Sequence, residues 1–324
     1  MGLSSIRFAS VLAAALIAVS FPAIAAAQVT EEPGAGVDAL AGLQADYDRA
    51  MTEGRFEDAE GIAEKIAEVV WPLHTDCMYN MARALNRAGK RSEAYEYLFW
   101  AVDSGFWDSA RMMQEPDFEN LREEPLFRKL ARSARANGYI WMLERDERED
   151  FQMTDRIMAS LDLRPGLRVA DLGCGSGYFT IPIAKAVMPG GTVLAIDAWQ
   201  DMLDYLERRL EIEDLDNVTT VKVERDDPQL PAGGVDLILM VDTYHYIKER
   251  NEYGKKLRAG LAPGGRLVVI DYIPKTFEER PWGPPPEQNL SKEQLTADLE
   301  QAGLKLVKEY DFLPEQFFVV YQAK

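Results

Sequence analysis

Cysteine and histidine are nearly absent: Cys77, Cys174, His74 and His245 are all that 324 residues contain. A structural zinc centre gathers about four Cys or His ligands, and a disulfide framework needs cysteines matched within one domain. Cys77 and Cys174 fall in different expected domains, so neither a metal nor a disulfide is assigned. Positive charge is scarce too, with 36 Lys and Arg against 54 Asp and Glu, a formal net charge of -18. Such a chain repels a phosphate backbone, and no run of basic residues interleaved with aromatics offsets that repulsion. Nucleic acid is not expected as a partner.

Long apolar runs are missing except near the start. Arg7 precedes an apolar stretch from Phe8 to Val19, and Ala25-Ala26-Ala27-Gln28 comes soon after. A basic residue, a short apolar stretch and an Ala-x-Ala site are the three parts of a secretory signal peptide. Residues 1–27 are therefore read as a signal, cleaved after Ala27, and the body as exported to the periplasm. The stretch is shorter than the roughly 20 residues of a spanning helix; left uncleaved it would anchor the body to the inner membrane. No stable span is expected after cleavage.

Beyond the signal the chain is helical in pattern and repeats itself. Met51-Thr52-Glu53-Gly54-Arg55-Phe56-Glu57-Asp58-Ala59 returns 35 residues later as Asn86-Arg87-Ala88-Gly89-Lys90-Arg91-Ser92-Glu93-Ala94. Each copy has small and apolar residues at helical spacing before the Gly and a second amphipathic helix after it. The first copy is expected to close at Trp71-Pro72 and the second at Ser104-Gly105. A period near 34 with a helix, a Gly turn and a helix resembles tetratricopeptide repeats; an ordinary bundle with a chance echo is the alternative. A third, irregular unit runs from Asp108 to Leu130. Residues 28–137 form this expected domain, a site for a protein partner, and 138–150 an expected connector helix.

From Phe151 to Lys324, short β-branched runs alternate with helical patterns, the sign of an α/β domain with a parallel sheet. Seven strands are expected: 168–172, 192–196, 218–223, 235–241, 266–271, 305–310 and 317–321. The first runs into Asp171-Leu172-Gly173-Cys174-Gly175-Ser176-Gly177 and then a helix. Glycines there let the backbone turn sharply and bring a ligand close to the main chain. The spacing is not the Gly-x-Gly-x-x-Gly of a dinucleotide site, and Asp171 would repel a pyrophosphate while suiting a cation. Asp197, next to Ala198, ends the second strand, where a carboxylate takes ribose hydroxyls or caps the next helix. After the third strand, Asp226 is the choice for an adenine amino group, with Asp227 as a neighbour or as an Asx turn before Pro228.

On these residues, and on Val235-Asp236-Leu237-Ile238-Leu239-Met240 and Leu261-Ala262-Pro263-Gly264-Gly265-Arg266-Leu267, the chain resembles the class I S-adenosylmethionine-dependent methyltransferases. The resemblance covers about the last 170 residues. It implies a seven-stranded Rossmann-like sheet of order 3-2-1-4-5-7-6 with the seventh strand antiparallel. It also implies S-adenosyl-L-methionine as cofactor, held by Asp171, Gly173, Cys174, Gly175, Gly177, Asp197, Ala198, Asp226 and Asp227. A bacterial subgroup ends its fourth strand in Asp-Thr-Tyr-His-His and closes with Phe-Leu-Pro-x-Gln; here stand Asp242-Thr243-Tyr244-His245-Tyr246 and Phe312-Leu313-Pro314-Glu315-Gln316. Tyr246 replaces the second His of that pattern.

Methyl transfer needs positioning, and a base only where the acceptor must lose a proton. Ligands sit at the carboxyl ends of such strands, so Asp242, Tyr244 and His245 are the catalytic candidates, with His245 either a base or a packing residue. The Asn-Pro-Pro-Tyr signature of amide or adenine methylation is missing, as are the cysteines of arsenic methylation. Arg280-Pro281-Trp282-Gly283-Pro284-Pro285-Pro286 reads as a lid over an apolar acceptor or as a stiff connector. The expected function is methyl transfer to a small-molecule or peptidyl acceptor. The alternative is an exported adaptor or sensor that binds the donor or its product without turnover.

Overall fold

The computed structural model describes residues 35–324 except 277, 281 and 282. The expected signal peptide and Trp282 lie outside the described residues. The described residues divide into two compact units, the first ending at Arg145 and the second Asp146–Lys324.

The first unit is helical: α1 (Ala35–Thr52), α2 (Phe56–Arg87), α3 (Arg91–Asp103), α4 (Ser109–Gln114) and α5 (Pro125–Glu144). Gly54 and Gly89 take φ of +73° and +75°, a region glycine enters at no steric cost. At the first turn Arg55 N–H donates to Ala50 O and Gly54 N–H to Met51 O; at the second, Lys90 donates to Leu85 and Gly89 to Asn86. These paired bonds form the Schellman ending of a helix, and Phe106 to Ala101 with Gly105 to Val102 repeats it after α3. The sequence echo is thus one turn geometry used again. Tyr79 stacks on Phe106 at 4.4 Å and meets Phe118 edge-on at 5.6 Å, at the centre of the core.

Two expectations about this unit are corrected. The helix does not close at Trp71-Pro72, because α2 runs through Pro72. Proline removes one backbone donor, but no glycine follows to reverse the chain until Gly89, and Thr75 Oγ1 donates to Pro72 O at 3.0 Å. Nor do residues 138–150 make one connector helix. The stretch up to Glu144 completes α5, whereas Arg148 and Gln152 are buried within the second unit.

The second unit opens with α6 (Glu149–Gln152) and α7 (Thr154–Ser160). The alternation of strand and helix then runs β1 (Arg168–Leu172), α8 (Thr180–Val187), β2 (Thr192–Asp197), α9 (Gln200–Ile212), β3 (Val218–Lys222), β4 (Val235–Val241), α10 (Arg250–Gly260) and β5 (Leu261–Tyr272). It ends with α11 (Lys292–Gln301), β6 (Leu304–Tyr310) and β7 (Gln316–Ala323). The sheet order is β3-β2-β1-β4-β5-β7-β6, with β7 antiparallel to both neighbours. β5 starts earlier than expected, because Leu261 pairs with Val235 ahead of an irregularity in register. β1 and β4 are buried on both faces between two apolar clusters, as central parallel strands are. Their carboxyl ends share one edge of the sheet, where the loops of interest lie.

Candidate active site

The glycine loop is shaped by close approach. Gly173 has φ +76° and Gly177 φ +88°; a Cβ on Gly173 would stand 2.2 Å from Thr243 Oγ1, and one on Gly177 2.3 Å from Leu206 Cδ1. Gly175 also lies at positive φ, +53°. The loop is pinned to β2 by Gly173 N–H (2.7 Å) and Cys174 N–H (3.1 Å), both donating to Ile196 O. The Gly173–Thr243 contact sets the loop after β1 against the loop after β4.

Carboxylates flank this turn. Asp171, 3% exposed, accepts from Thr180 Oγ1 at 2.6 Å. Burial pushes its carboxyl up to about 6, opposed by that hydrogen bond. Asp197 Oδ2 accepts from Gly175 N–H at 2.9 Å and Oδ1 from Trp199 N–H at 2.8 Å; burial raises its pKa, and these backbone bonds pull it back. Asp197 thus joins the glycine loop to the start of α9, with Ala198 half-buried between. Asp226 is exposed, its carbonyl taking a bond from Lys256 Nζ at 3.0 Å. Asp227 accepts from Gln229 N–H at 3.1 Å, as an Asx turn does, and pairs with Lys256 at 3.4 Å. The Cys174 thiol packs in the apolar cluster beside β1, where burial raises its pKa well above the ordinary value, while its backbone lies in the glycine turn.

The loop after β4 separates its three expected residues. Tyr244 is corrected to a core residue: its ring is fully buried in the cluster with Tyr253, Leu257 and Tyr321, because the one-turn 3-10 helix Tyr244–Tyr246 rotates it away from the sheet edge. Asp242, at φ +52°, accepts from Gln316 Nε2 at 2.5 Å. Burial pushes its carboxyl up to about 6, with Arg148 pulling it down and Asp271 pushing it up. His245 is 5% exposed; its Nδ1 lies 2.7 Å from Asp271 Oδ1, and its backbone N–H donates to Asp271 Oδ2 at 3.0 Å. Its Nε2 is buried with no hydrogen-bond partner, and so is Ser176 Oγ in the glycine loop.

Several of these groups carry no signal in the sequence. Asp271 sits inside β5, where an apolar run gives no reason to single out one acid. Arg148 Nε donates to Gln152 Oε1 at 3.2 Å, and Gln152 Nε2 to Gln316 Oε1 at 3.0 Å, which brings this buried line to Asp242. The Arg148 guanidinium lies 4.1 Å from the Tyr178 ring centre. Only Phe-Leu-Pro-x-Gln hinted at Gln316.

Known proteins match part of the chain. A family profile described as a methyltransferase domain covers residues 170–267. Protein-L-isoaspartate O-methyltransferase of Aeropyrum pernix is 34% identical over 117 residues, 35% of this chain and 42% of that protein. Nocamycin O-methyltransferase of Saccharothrix syringae is 29% identical over 119 residues, 37% of this chain and 42% of that protein. The chain thus spans less than half the length of these curated relatives. A solved structure of a SAM-dependent methyltransferase from Aquifex aeolicus superposes with a TM-score of 0.51 at 29% identity, over 57% of this chain and 96% of that one. Residues 170–267 match the methyltransferase-domain profile, and the sheet order and superposition give residues 146–324 the fold of S-adenosylmethionine-dependent methyltransferases. No helix among the described residues is long and apolar enough to cross a membrane.

Proposed function

We propose that the protein transfers a methyl group to a small-molecule or peptidyl acceptor whose proton is taken by His245. The carrying observation is the buried His245–Asp271 pair, with Nε2 bare, on the loop that Thr243 sets against Gly173. The donor's fit rests on the tight glycine turn, where Gly173 packs against Thr243 and Gly177 against Leu206 too closely for any Cβ, and on Asp171 and Asp197 bordering it. S-adenosylmethionine, when bound, supplies a methyl group already activated by its sulfonium charge.

In this reading Asp171 attracts the cationic amino acid end, Asp197 the ribose hydroxyls and Asp226, with Asp227 beside it, the adenine amino group. Asp242 shapes the acceptor side. Isothermal titration of the full chain with S-adenosylmethionine and S-adenosylhomocysteine tests the reading; micromolar binding of both is expected, and no heat with either sinks it.

Two further proposals concern the rest of the chain. The first unit is proposed to hold tetratricopeptide-like repeats that dock a protein partner, supported by the Schellman turn used three times. The body is proposed to be exported to the periplasm behind a signal of residues 1–27, supported by the Arg7, apolar-stretch and Ala-x-Ala order. A C-terminal alkaline phosphatase fusion should be active in cells and a β-galactosidase fusion inactive; the reverse pattern places the protein in the cytoplasm, where the donor is made.

A further inference from the structure

We infer that the acceptor is a hydroxyl of phenol or enol type, which donates a hydrogen bond to His245 Nε2 and loses its proton there. This rests on the methyltransferase reading above and specifies its substrate.

The tautomer of His245 is fixed by what surrounds Asp271. That carboxylate, 1% exposed, takes His245 backbone N–H at Oδ2 (3.0 Å), Tyr272 backbone N–H at Oδ1 (2.9 Å) and His245 Nδ1 at Oδ1 (2.7 Å). Two of the three are obligate donors to a group that accepts, so the third, Nδ1, carries the ring proton. Nε2 is then a lone pair, and it is buried without a partner. An unmet buried acceptor costs about 1–3 kcal/mol, so the missing group is a donor, O–H or N–H.

Chemistry narrows this donor. A carboxylate would set lone pair against lone pair and needs no base. A protonated amine would bring a second cation toward the donor's sulfonium. An aliphatic hydroxyl holds its proton far too tightly for imidazole, whereas phenols ionise near about 10, within reach of a base working near neutrality. Two aromatic rings stand near the imidazole: the Tyr246 ring centre lies 4.1 Å from it, tilted by 46°, with that residue 40% exposed, and the Tyr272 ring centre lies 6.2 Å from it. The Arg280 guanidinium sits 4.7 Å over the Tyr272 ring. The exposed part of the Tyr246 ring can pack a planar ligand by offset stacking.

In the transfer the acceptor's O–H bond breaks and its proton goes to Nε2. The oxygen lone pair forms the O–CH3 bond as the C–S electron pair returns to sulfur, leaving a neutral sulfide and a protonated imidazole. His245 is the catalytic base and Asp271 its positioning residue.

The test uses the full chain saturated with S-adenosylhomocysteine, which has no methyl to give, and 4-nitrophenol, whose anion absorbs visibly. Bound 4-nitrophenol should ionise at a pH lower than free by about one unit, and His245→Asn should abolish that shift. Asp271→Asn, which can donate to Nδ1 and move the ring proton to Nε2, should keep S-adenosylhomocysteine affinity within about threefold and also lose the shift. The inference is overturned if 4-nitrophenol fails to bind while S-adenosylhomocysteine does. It is overturned too if the shift survives in both variants, or if benzoate or benzylamine displaces the phenol at about tenfold lower concentration. Failure of S-adenosylhomocysteine itself to bind the wild-type chain is a separate result, which removes the underlying reading and this one together.

Discussion

Asp171 is a carboxyl held in a place that does not favour its charge. Burial lifts it from an ordinary value of 3.8 to about 6, so between those values the folded protein holds a proton that the unfolded chain has released. Stability from this group therefore falls as pH rises through that window, and at neutral pH the ionised carboxylate costs up to about 3 kcal/mol. Asp171→Asn keeps an acceptor for Thr180 Oγ1 and removes that cost. Calorimetry near neutral pH should show its Tm raised by about 2–6 °C, while titration shows S-adenosylhomocysteine bound about 10- to 100-fold more weakly. Binding to the wild-type chain should weaken as pH drops below about 6, as the carboxyl takes up its proton. A variant that is stabilised without losing affinity would detach Asp171 from the ligand.

Among the elements, α2 carries the clearest internal conflict, a proline in mid-helix. A proline there costs about 3 kcal/mol relative to alanine, so Pro72→Ala should raise the first unit's thermal midpoint, monitored by circular dichroism; a fall would show that Pro72 itself is needed for packing. The sequence declares most of the elements of the second unit. Apolar β-branched runs between glycines and prolines place β1 and β4 at their observed bounds, and Ser291 marks the start of α11 with its side chain accepting from Gln294 N–H. It also declares the glycine loop, because the loop's chemistry is local. What stays hidden depends on rotation or distance. Tyr244 and His245 are neighbours in the chain, yet one turn of 3-10 helix sends the first into the core and the second to Asp271. Arg148, Gln152, Asp271 and Gln316 enter only through partners far along the chain. Pro72 misleads because the helix continues past it to bury Thr75, Tyr79, Ala82 and Asn86.

For the molecule as a whole, the net charge of -18 implies self-repulsion that salt relieves within a Debye length of about 8 Å at physiological ionic strength. Raising sodium chloride from low to moderate concentration should lift the melting temperature of the full chain, read by differential scanning fluorimetry; insensitivity to salt would mean that the ion pairs already balance the excess. The line from Arg148 to Asp242 has a different consequence, one of order in time. Gln152 and Gln316, which touch in it, are 164 positions apart, and contacts so distant in sequence form only after a large loop has closed. Strands β1 to β5 can associate by nearer pairings, whereas this contact waits for β7 to enter the sheet antiparallel to β5. The surroundings of Asp242 are therefore expected to take shape late in the folding of the second unit, and a chain caught before that step would hold the glycine turn without the groups that tune Asp242.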